Sequence, residues 1–452
     1  MSAPFEETNV KFMEWLKANG ASVSESMVLH DYTSEGAGRG VIATKDIEKG
    51  HELFSIPRSL PLSPETSELA KSIDLSSLQG WNPLLLCMIY EYCRDADSHW
   101  KPYFDILPME FSTPMFWAAD EIEMLKGTGV YDKIGKSEAE EAFKTTLWPV
   151  IEANPTHFQP MNQEEYTRIF HRMGSLVMAY AFHDTKDEED DEDSDVEEDE
   201  EEEEKVNVSM VPLADMLNHK TGHNNARLFH EKDCLRMVAI KPIKAGHQIF
   251  NTYGDLCNAD LLRKYGFVDV PNPHNIAEID GHLVVEKSTS ADPEGKDEKV
   301  EWLLEHDGLE EHFIVEAGGE VPEELIGCIK ILSMPLETFR TTVVESKKIP
   351  STKLTVESQK ILRDVLESRL AEIQSSAKED RHILKQNSEE CSRAKRNAVI
   401  VRSGERELLQ SVLDKVKRWK PAPPAPTQTS GGKQKGVGKG QPPNKGKKPY
   451  NK

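Results

Sequence analysis

Two short stretches decide the fold of this chain: VPLADMLNH at residues 211–219 and IFNTYG at residues 249–254. In the first, the pair Asn218-His219 follows an apolar run and opens a polar loop. Such a pair can cap a turn and nothing more, or it can hold a ligand through backbone and side-chain hydrogen bonds. In the second, Tyr253 stands at the end of a predicted strand, where it is either a packed aromatic or a hydroxyl aimed at a substrate amine.

Two further segments belong with these stretches. The glycine-rich turn GAGRG at residues 36–40 directly precedes the apolar residues 41–43, and glycines there let the backbone approach a ligand closely. A plain turn between two strands explains the same glycines equally well. The segment LLRKYGF at residues 261–267 contains Tyr265, which could be simple core. The order and spacing of all four segments favour the functional interpretation.

The apolar pattern along the chain predicts an α+β protein whose β-rich sequence comes in two pieces separated by a helical insertion. A second helical region follows, in which Ile361, Leu362, Val365, Leu366 and Leu370 share one helix face. The predicted parts are an N-terminal helix over 1–27, a first β-rich half over 28–64, a helical insertion over 65–183, an acidic loop over 184–205, a second β-rich half over 206–270, a helical domain over 271–418 and a basic tail over 419–452.

Two segments of the chain are strongly charged, and the rest is acidic as well, with a net charge of −19. The net charge is −24, with 17 acidic residues and one lysine between Asp184 and Glu204, and 11 basic residues and no acidic one from Lys415 to Lys452. An acidic protein favours basic partners, of which lysine-rich ribosomal and chromatin proteins are the obvious class. The acidic run is either a solvated insert or a segment that binds the basic substrate. Its composition favours the solvated insert. The basic tail lacks the aromatic platforms of sequence-reading RNA modules, so we interpret it as a localisation signal or a weak electrostatic contact with the ribosome or nucleic acid.

Several functional classes are disfavoured by composition. No apolar run approaches the roughly 20 residues that span a bilayer, so no membrane partner is expected. Six cysteines without a CxxC pair, and an N-terminus without a cleavable signal pattern, indicate a reduced intracellular compartment. His219, His223, His230 and Cys234 form H-x3-H-x6-H-x3-C, which is a possible zinc site; its spacing matches no common zinc module, and we predict no metal.

Taken together, the four segments resemble the SET domain, with an early glycine turn, then Asn-His, then a Tyr-Gly strand end about 35 residues later. The helical insertion and the helical C-terminal region resemble, more closely, the Rubisco large-subunit methyltransferase group, in which a split SET β-fold carries an all-helical substrate-binding domain. Within that group, residues 210–219, 234–254 and 261–269 are most similar to the fungal ribosomal lysine methyltransferases and their animal counterparts. The order of parts matches over roughly residues 10–415.

This resemblance implies an S-adenosylmethionine-dependent protein-lysine N-methyltransferase. It assigns roles to positions that match the family's motifs. The implied cofactor-binding residues are Gly38, Arg39, Gly40, Tyr180, Asn218, His219 and Tyr265. Tyr253 matches the catalytic tyrosine, and Trp81 matches an aromatic near the substrate-lysine channel, although Trp81 could equally pack within a helix.

The implied reaction also constrains the acceptor. A free lysine has a pKa of roughly 10.4 and is therefore protonated at neutral pH. Burial beside a cationic sulfonium must disfavour this ammonium form before the amine can attack. The displacement that follows needs positioning more than covalent catalysis. By resemblance, the substrate is a large-subunit ribosomal protein, the product is monomethyl-lysine, and the location is the nucleus, with the cytoplasm as a second site. A chromatin or transcription-factor substrate, a histidine acceptor and a non-catalytic binding module are the alternatives.

Overall fold

The computed structural model describes residues 5–183, 208–290, 293–345, 350–386 and 391–420. The acidic loop and nearly all of the basic tail predicted from the sequence lie outside these residues. Within the described part of the chain, no helix has both the length and the apolar character needed to cross a membrane.

The chain begins with an amphipathic helix that packs on the first β-rich half. Phe12 and Leu16 are fully buried on one face of this helix, while Lys11 and Glu7 pair on its exposed face. A short turn at Gly20 then leads into the first strands. The elements of this part are α1 (Phe5–Ala18), β1 (Ser22–Val23), β2 (Met27–Asp31), β3 (Arg39–Ala43) and β4 (Glu52–Pro57).

The insertion that follows is helical and ends on a short strand. Its longest helix, α7, begins with a capping box in which Asn162 and Glu165 satisfy each other's backbone N–H groups. The elements are α2 (Asn82–Arg94), α3 (Lys101–Phe104), α4 (Ala119–Ile122), α5 (Lys136–Ala142), α6 (Trp148–Ala153), α7 (Gln163–Tyr180) and β5 (Ala181–His183).

Strands from the two β-rich halves combine into shared sheets. The second half contributes β6 (Val208–Met210), β7 (Asn218–His219), β8 (Ala226–His230), β9 (Cys234–Ala239) and β10 (Gln248–Asn251). One four-stranded sheet has the order β1-β4-β9-β8 and the other the order β2-β3-β10-β7, while β5 pairs with β6. Both larger sheets therefore mix strands from before and after the insertion, as the prediction of a split β-fold requires.

The C-terminal region is helical, and this confirms the predicted α+β class. It adds one two-stranded antiparallel sheet, β11 with β12, that the sequence pattern did not indicate. Its elements are α8 (Asn258–Asp260), β11 (Ala277–Asp280), α9 (Gly281–Thr289), α10 (Lys296–Glu305), β12 (His312–Val315), α11 (Glu323–Ser333), α12 (Leu336–Phe339), α13 (Val356–Glu372), α14 (Ala377–Leu384) and α15 (Arg393–Arg418).

Three apolar cores hold these parts. The largest joins α1, the insertion and the two sheets, and the second lies within the C-terminal region. The third is small and sits where three parts of the chain meet. It brings Leu125 and Val130 of the insertion, Leu262 after β10, and Ala398 and Val401 of α15 into one cluster. This third core fixes α15 beside the β-fold.

Candidate active site

The strand pairing of β10 brings the decisive stretches together. On one side β10 pairs antiparallel with β3, which follows the glycine turn, so that Gln248 lies opposite Ile42. On its other side β10 pairs in parallel with β7, where Asn251 lies opposite His219. Because β10 runs directly into Tyr253, this register places the glycine turn, Asn218-His219 and Tyr253 at one end of the sheet.

His219 is held as a neutral imidazole in one tautomer. Its Nδ1 accepts a hydrogen bond from the Tyr253 N–H at 3.1 Å, so the ring proton must lie on Nε2, which contacts Thr221 Oγ1 at 3.3 Å. The Thr221 hydroxyl in turn donates to Asp269 at 2.7 Å. Burial lowers the pKa of His219 below its ordinary value, although the negative charge of Asp269 acts to raise it. His219 therefore orients the Tyr253 backbone and carries no charge at neutral pH.

A layer of stacked rings surrounds this pair. The ring of Tyr253 stacks on His219 with centroids 5.2 Å apart and on Tyr265 with centroids 4.5 Å apart. Phe267 contacts both neighbours, at 6.3 Å from His219 and 6.2 Å from Tyr265. Such offset stacks add stability beyond the area that they bury. The structure thus brings Tyr265 into the site, and it adds Phe267, which lay within the quoted segment 261–267 but was not singled out.

The Tyr253 hydroxyl points at a backbone carbonyl. It donates to Leu217 O at 3.2 Å, one residue before Asn218. Burial raises the pKa of Tyr253 well above its ordinary value, so the phenol stays protonated at neutral pH. A protonated phenol cannot act as a base, but its oxygen and the neighbouring carbonyl can orient a neutral amine.

A buried carboxyl group lies next to this tyrosine. Asp215 is 5% exposed, and its Oδ2 accepts a short hydrogen bond from the hydroxyl of Tyr103, which comes from α3 of the insertion. Burial raises the pKa of Asp215 to about 8. Its Oδ1 is buried and has no hydrogen-bond partner within the described part of the chain. Sequence reasoning missed this pair because its members lie 112 residues apart.

The Asp215 carboxyl also influences a second tyrosine of the site. Burial, and after it the charge of Asp215, raises the pKa of Tyr180 to about 12. The peptide that leads into Asp215 is strained, since Leu213 has a φ of 76° without being glycine. Tyr180, at the end of α7, therefore lies close enough to Asp215 for the charge of this carboxyl to act on its hydroxyl.

The glycine turn meets Asn218 at close range. The Asn218 side-chain amide donates to Arg39 O at 3.2 Å and to Gln248 Oε1 at 2.9 Å. A Cβ atom on Gly40 would lie 2.6 Å from Asn218 Nδ2, so only glycine fits there. Gly38 has a φ of 68° and nothing within 4 Å of its would-be Cβ, which leaves open space beside the turn. The turn therefore packs tightly against Asn218 at Gly40, whereas the space beside Gly38 is open.

The Arg39 side chain has a different task from its backbone. Its guanidinium donates to Asn9 Oδ1 at 3.0 Å, to Thr8 Oγ1 at 2.9 Å and to Ile106 O at 2.7 Å, and it lies 4.4 Å from the Phe5 ring centroid. These contacts join α1 to the insertion. Because these contacts occupy the guanidinium, the predicted cofactor role of Arg39 falls to its backbone. The backbone carbonyl of Arg39 faces Asn218.

Two other features considered from the sequence are the channel role of Trp81 and the possible zinc site. Trp81 is 38% exposed at the start of α2, and no described hydrogen bond or ring contact joins it to the tyrosine cluster, so its role stays a prediction. For the zinc alternative, the described residues contain no group of three or more His, Cys, Asp or Glu side chains that could hold a metal ion. Cys234 instead contacts Glu231 at 3.5 Å, and His223 contacts Thr221 O at 2.9 Å.

Comparison with known proteins places this geometry in a family. The SET-domain family matches residues 38–254, and the Rubisco LSMT substrate-binding family matches residues 292–409. N-lysine methyltransferase SETD6 of Rattus norvegicus is 33% identical over 362 residues, which cover 75% of this chain and 72% of that protein. The Xenopus tropicalis protein of the same name is 36% identical over 351 residues, 73% of this chain and 74% of its own. The chain belongs to the Rubisco LSMT-like SET methyltransferases.

Solved structures share the fold across nearly the whole chain. The SET domain of LSMT bound to lysine and AdoHcy aligns with a TM-score of 0.70 at 21% identity, covering 92% of both chains. Rubisco LSMT bound to AdoMet aligns with a TM-score of 0.68 at the same identity, covering 91% of this chain and 92% of that one. As a SET-family member whose relatives over most of its length are N-lysine methyltransferases, the chain is a protein-lysine N-methyltransferase that uses S-adenosylmethionine.

The residues present fit this cofactor. The open space beside Gly38 suits its amino-acid end, and the rings of His219, Tyr265 and Phe267 suit a flat adenine.

Proposed function

We propose that this enzyme monomethylates a lysine of a large-subunit ribosomal protein. One observation supports catalysis at the predicted centre above all others: the Tyr253 hydroxyl meets Leu217 O at 3.2 Å, beside the neutral His219. The net charge of −24 supports a basic protein partner, and ribosomal proteins are rich in lysine. The similarity of residues 210–219 and 261–269 to ribosomal lysine methyltransferases supports that class of substrate.

The side chains contribute to the reaction mainly by positioning. When bound, S-adenosylmethionine supplies a methyl group on a positively charged sulfur, and no protein nucleophile is required. Tyr253 and the Leu217 carbonyl hold the substrate amine by hydrogen bonds, which converts a bimolecular encounter into an oriented one. His219 fixes the Tyr253 backbone. The stacked rings exclude water, and this favours the neutral amine over the ammonium.

The residue roles form part of the proposal. Tyr253 is the catalytic residue, and Trp81 borders the substrate channel. The cofactor is held by Gly38, the Arg39 backbone, Gly40, Tyr180, Asn218, His219 and Tyr265, with Phe267 added from the ring geometry. Because large-subunit ribosomal proteins are assembled in the nucleus, we propose the nucleus as the main location and the cytoplasm as a second one. A weak contact of the basic tail with the ribosome or nucleic acid completes the proposal.

Transfer of labelled methyl groups tests the substrate. The full chain is incubated with radiolabelled S-adenosylmethionine and, in parallel, with fractionated ribosomal proteins and with histones. We expect label on a lysine of one large-subunit protein, and mass spectrometry of the modified peptide should count a single methyl group. Label confined to histones would contradict the ribosomal proposal and favour a chromatin substrate. No label on any fraction would also contradict the ribosomal proposal.

A variant of Tyr253 tests the catalytic assignment separately. Tyr253→Phe removes the hydroxyl that contacts Leu217 O and retains the ring stack on His219 and Tyr265. We expect methyl transfer to fall by about 100-fold or more, while the cofactor Kd stays within about threefold. Tyr90→Phe, in the insertion, is the matched control and should leave both quantities unchanged. Full activity of Tyr253→Phe would overturn the role of Tyr253.

A further inference from the structure

The first two turns of α15 contact both loops of the cofactor site. Arg393 Nη1 donates a short hydrogen bond to the carbonyl of Gly36, where the glycine turn begins. Asn397 Nδ2 donates to the carbonyl of Gly266 at 3.4 Å, and Gly266 lies between the site aromatics Tyr265 and Phe267. Residues four apart share one face of a helix, so a single face of α15 meets both loops.

The backbone at both contact points has little freedom. Gly36 and Gly266 have φ values of 81° and 79°, conformations that residues other than glycine rarely adopt. A Cβ on Gly36 would lie 2.3 Å from Arg393 Nη1, and one on Gly266 would lie 2.8 Å from the Ser112 backbone. The glycine turn therefore packs directly against the Arg393 guanidinium at Gly36, while the other loop is confined at Gly266 by the Ser112 backbone and also accepts the Asn397 hydrogen bond.

Helix α15 is itself firmly anchored. Its Ala398 and Val401 belong to the small apolar core shared with the insertion and with Leu262. At its start, Ser392 Oγ donates to Glu121 at 2.7 Å, and Lys395 pairs with Asp120 at 3.1 Å. Further along, Arg402 and Arg406 both contact the buried carboxylate of Asp380. A helix held at this many points can serve as a fixed support for loops that would otherwise adjust.

Helix α15 also belongs to the region that matches the substrate-binding family, residues 292–409. We propose that this region forms part of the cofactor site: Arg393, together with Asn397, holds the glycine turn and the Tyr265–Phe267 loop in their cofactor-binding shape. Arg393 acts through Gly36 and is a positioning residue. The affinity for S-adenosylmethionine is then set partly by a helix outside the SET match at 38–254. This inference does not depend on which protein is the substrate.

Direct binding of the cofactor tests the proposal. Isothermal titration of the full chain with S-adenosylmethionine compares the wild type with Arg393→Ala, Arg393→Lys and Lys395→Ala. We expect Arg393→Ala to raise the cofactor Kd by about five- to tenfold, because it removes a charge-assisted hydrogen bond to the loop. Arg393→Lys should restore part of the affinity. Lys395→Ala, on the same helical turn but with its ion pair to Asp120 rather than to either loop, should stay within about twofold.

Two further readouts separate positioning from general loosening. At saturating cofactor, Arg393→Ala should retain wild-type kcat while its KM for S-adenosylmethionine rises with the Kd. Asn397→Ala, acting on the other loop, should also raise the Kd. Wild-type Kd in both Arg393→Ala and Asn397→Ala would overturn the proposal, as would an equal rise in Lys395→Ala. Because binding needs no protein substrate, such a failure would leave the ribosomal proposal untouched.

Discussion

The buried Asp215 gives the free energy of unfolding a specific dependence on pH. Asp215→Asn keeps the shape of the side chain and an oxygen that can accept from Tyr103, but it removes the titratable proton. Burial raises the pKa of Asp215 from 3.8 to about 8. The folded protein therefore holds this proton more tightly than the unfolded chain does.

The sign and size follow from linkage. A carboxyl group whose pKa is raised in the folded state contributes stability that is fully present below about pH 4 and lost as the pH rises to about 8. Between these limits the wild type should lose about 1.4 kcal/mol per pH unit from this group. From pH 5 to pH 7.5 the loss comes to about 3 kcal/mol relative to Asp215→Asn, which cannot ionise.

Chemical unfolding across this pH range measures the effect. Guanidinium titrations of the wild type and Asp215→Asn at half-unit pH steps should give free energies of unfolding that diverge with increasing pH in favour of the variant. Asp46→Asn is a suitable control, because its exposed carboxyl has a pKa lowered by the hydrogen bond from Lys244 and is ionised in both the folded and the unfolded state above about pH 5, so its curve should run parallel to that of the wild type. Parallel curves for the wild type and Asp215→Asn would refute the reasoning.

Two other predictions rest on contacts of the glycine turn. Gly40→Ala should raise the cofactor Kd by about tenfold or more, since its Cβ would lie 2.6 Å from Asn218 Nδ2, whereas Gly50→Ala, outside the site and with no atom within 4 Å of its Cβ, should leave the Kd within about twofold; equal Kd values for the two variants would contradict this. Arg39→Ala should lower the free energy of unfolding by about 2–4 kcal/mol, since it leaves buried Thr8 and Asn9 without their guanidinium partner. Calorimetry should show no change in Tm for Lys11→Ala, whose ion pair with Glu7 lies on the exposed surface of α1.

The sequence was sufficient to predict the class of fold and the parts of the site that depend on local order. Asn218-His219 and Tyr253 converge because β7 and β10 pair in parallel, and strands that end in polar motifs tend to place them at one sheet edge. Tyr265 joins them because α8 and the helical turn Leu261–Tyr265 that continues it come soon after β10 in the chain. The role of the Arg39 guanidinium could not be predicted, since Thr8, Asn9 and Ile106 come from two distant segments.

The electrostatics of the site depend on contacts that no motif encodes. Tyr103 comes from the insertion and hydrogen-bonds Asp215, and this contact lowers the Asp215 pKa against the larger effect of burial. Because the resulting pKa of about 8 lies above neutral pH, Asp215 is mostly protonated there and offers little negative charge to stabilise a substrate ammonium. Asp215 therefore does not favour the ammonium form of a lysine over the unprotonated amine that attack on the methyl group requires. The motifs locate the reaction centre, whereas the protonation state of Asp215 depends on its burial, which no motif encodes.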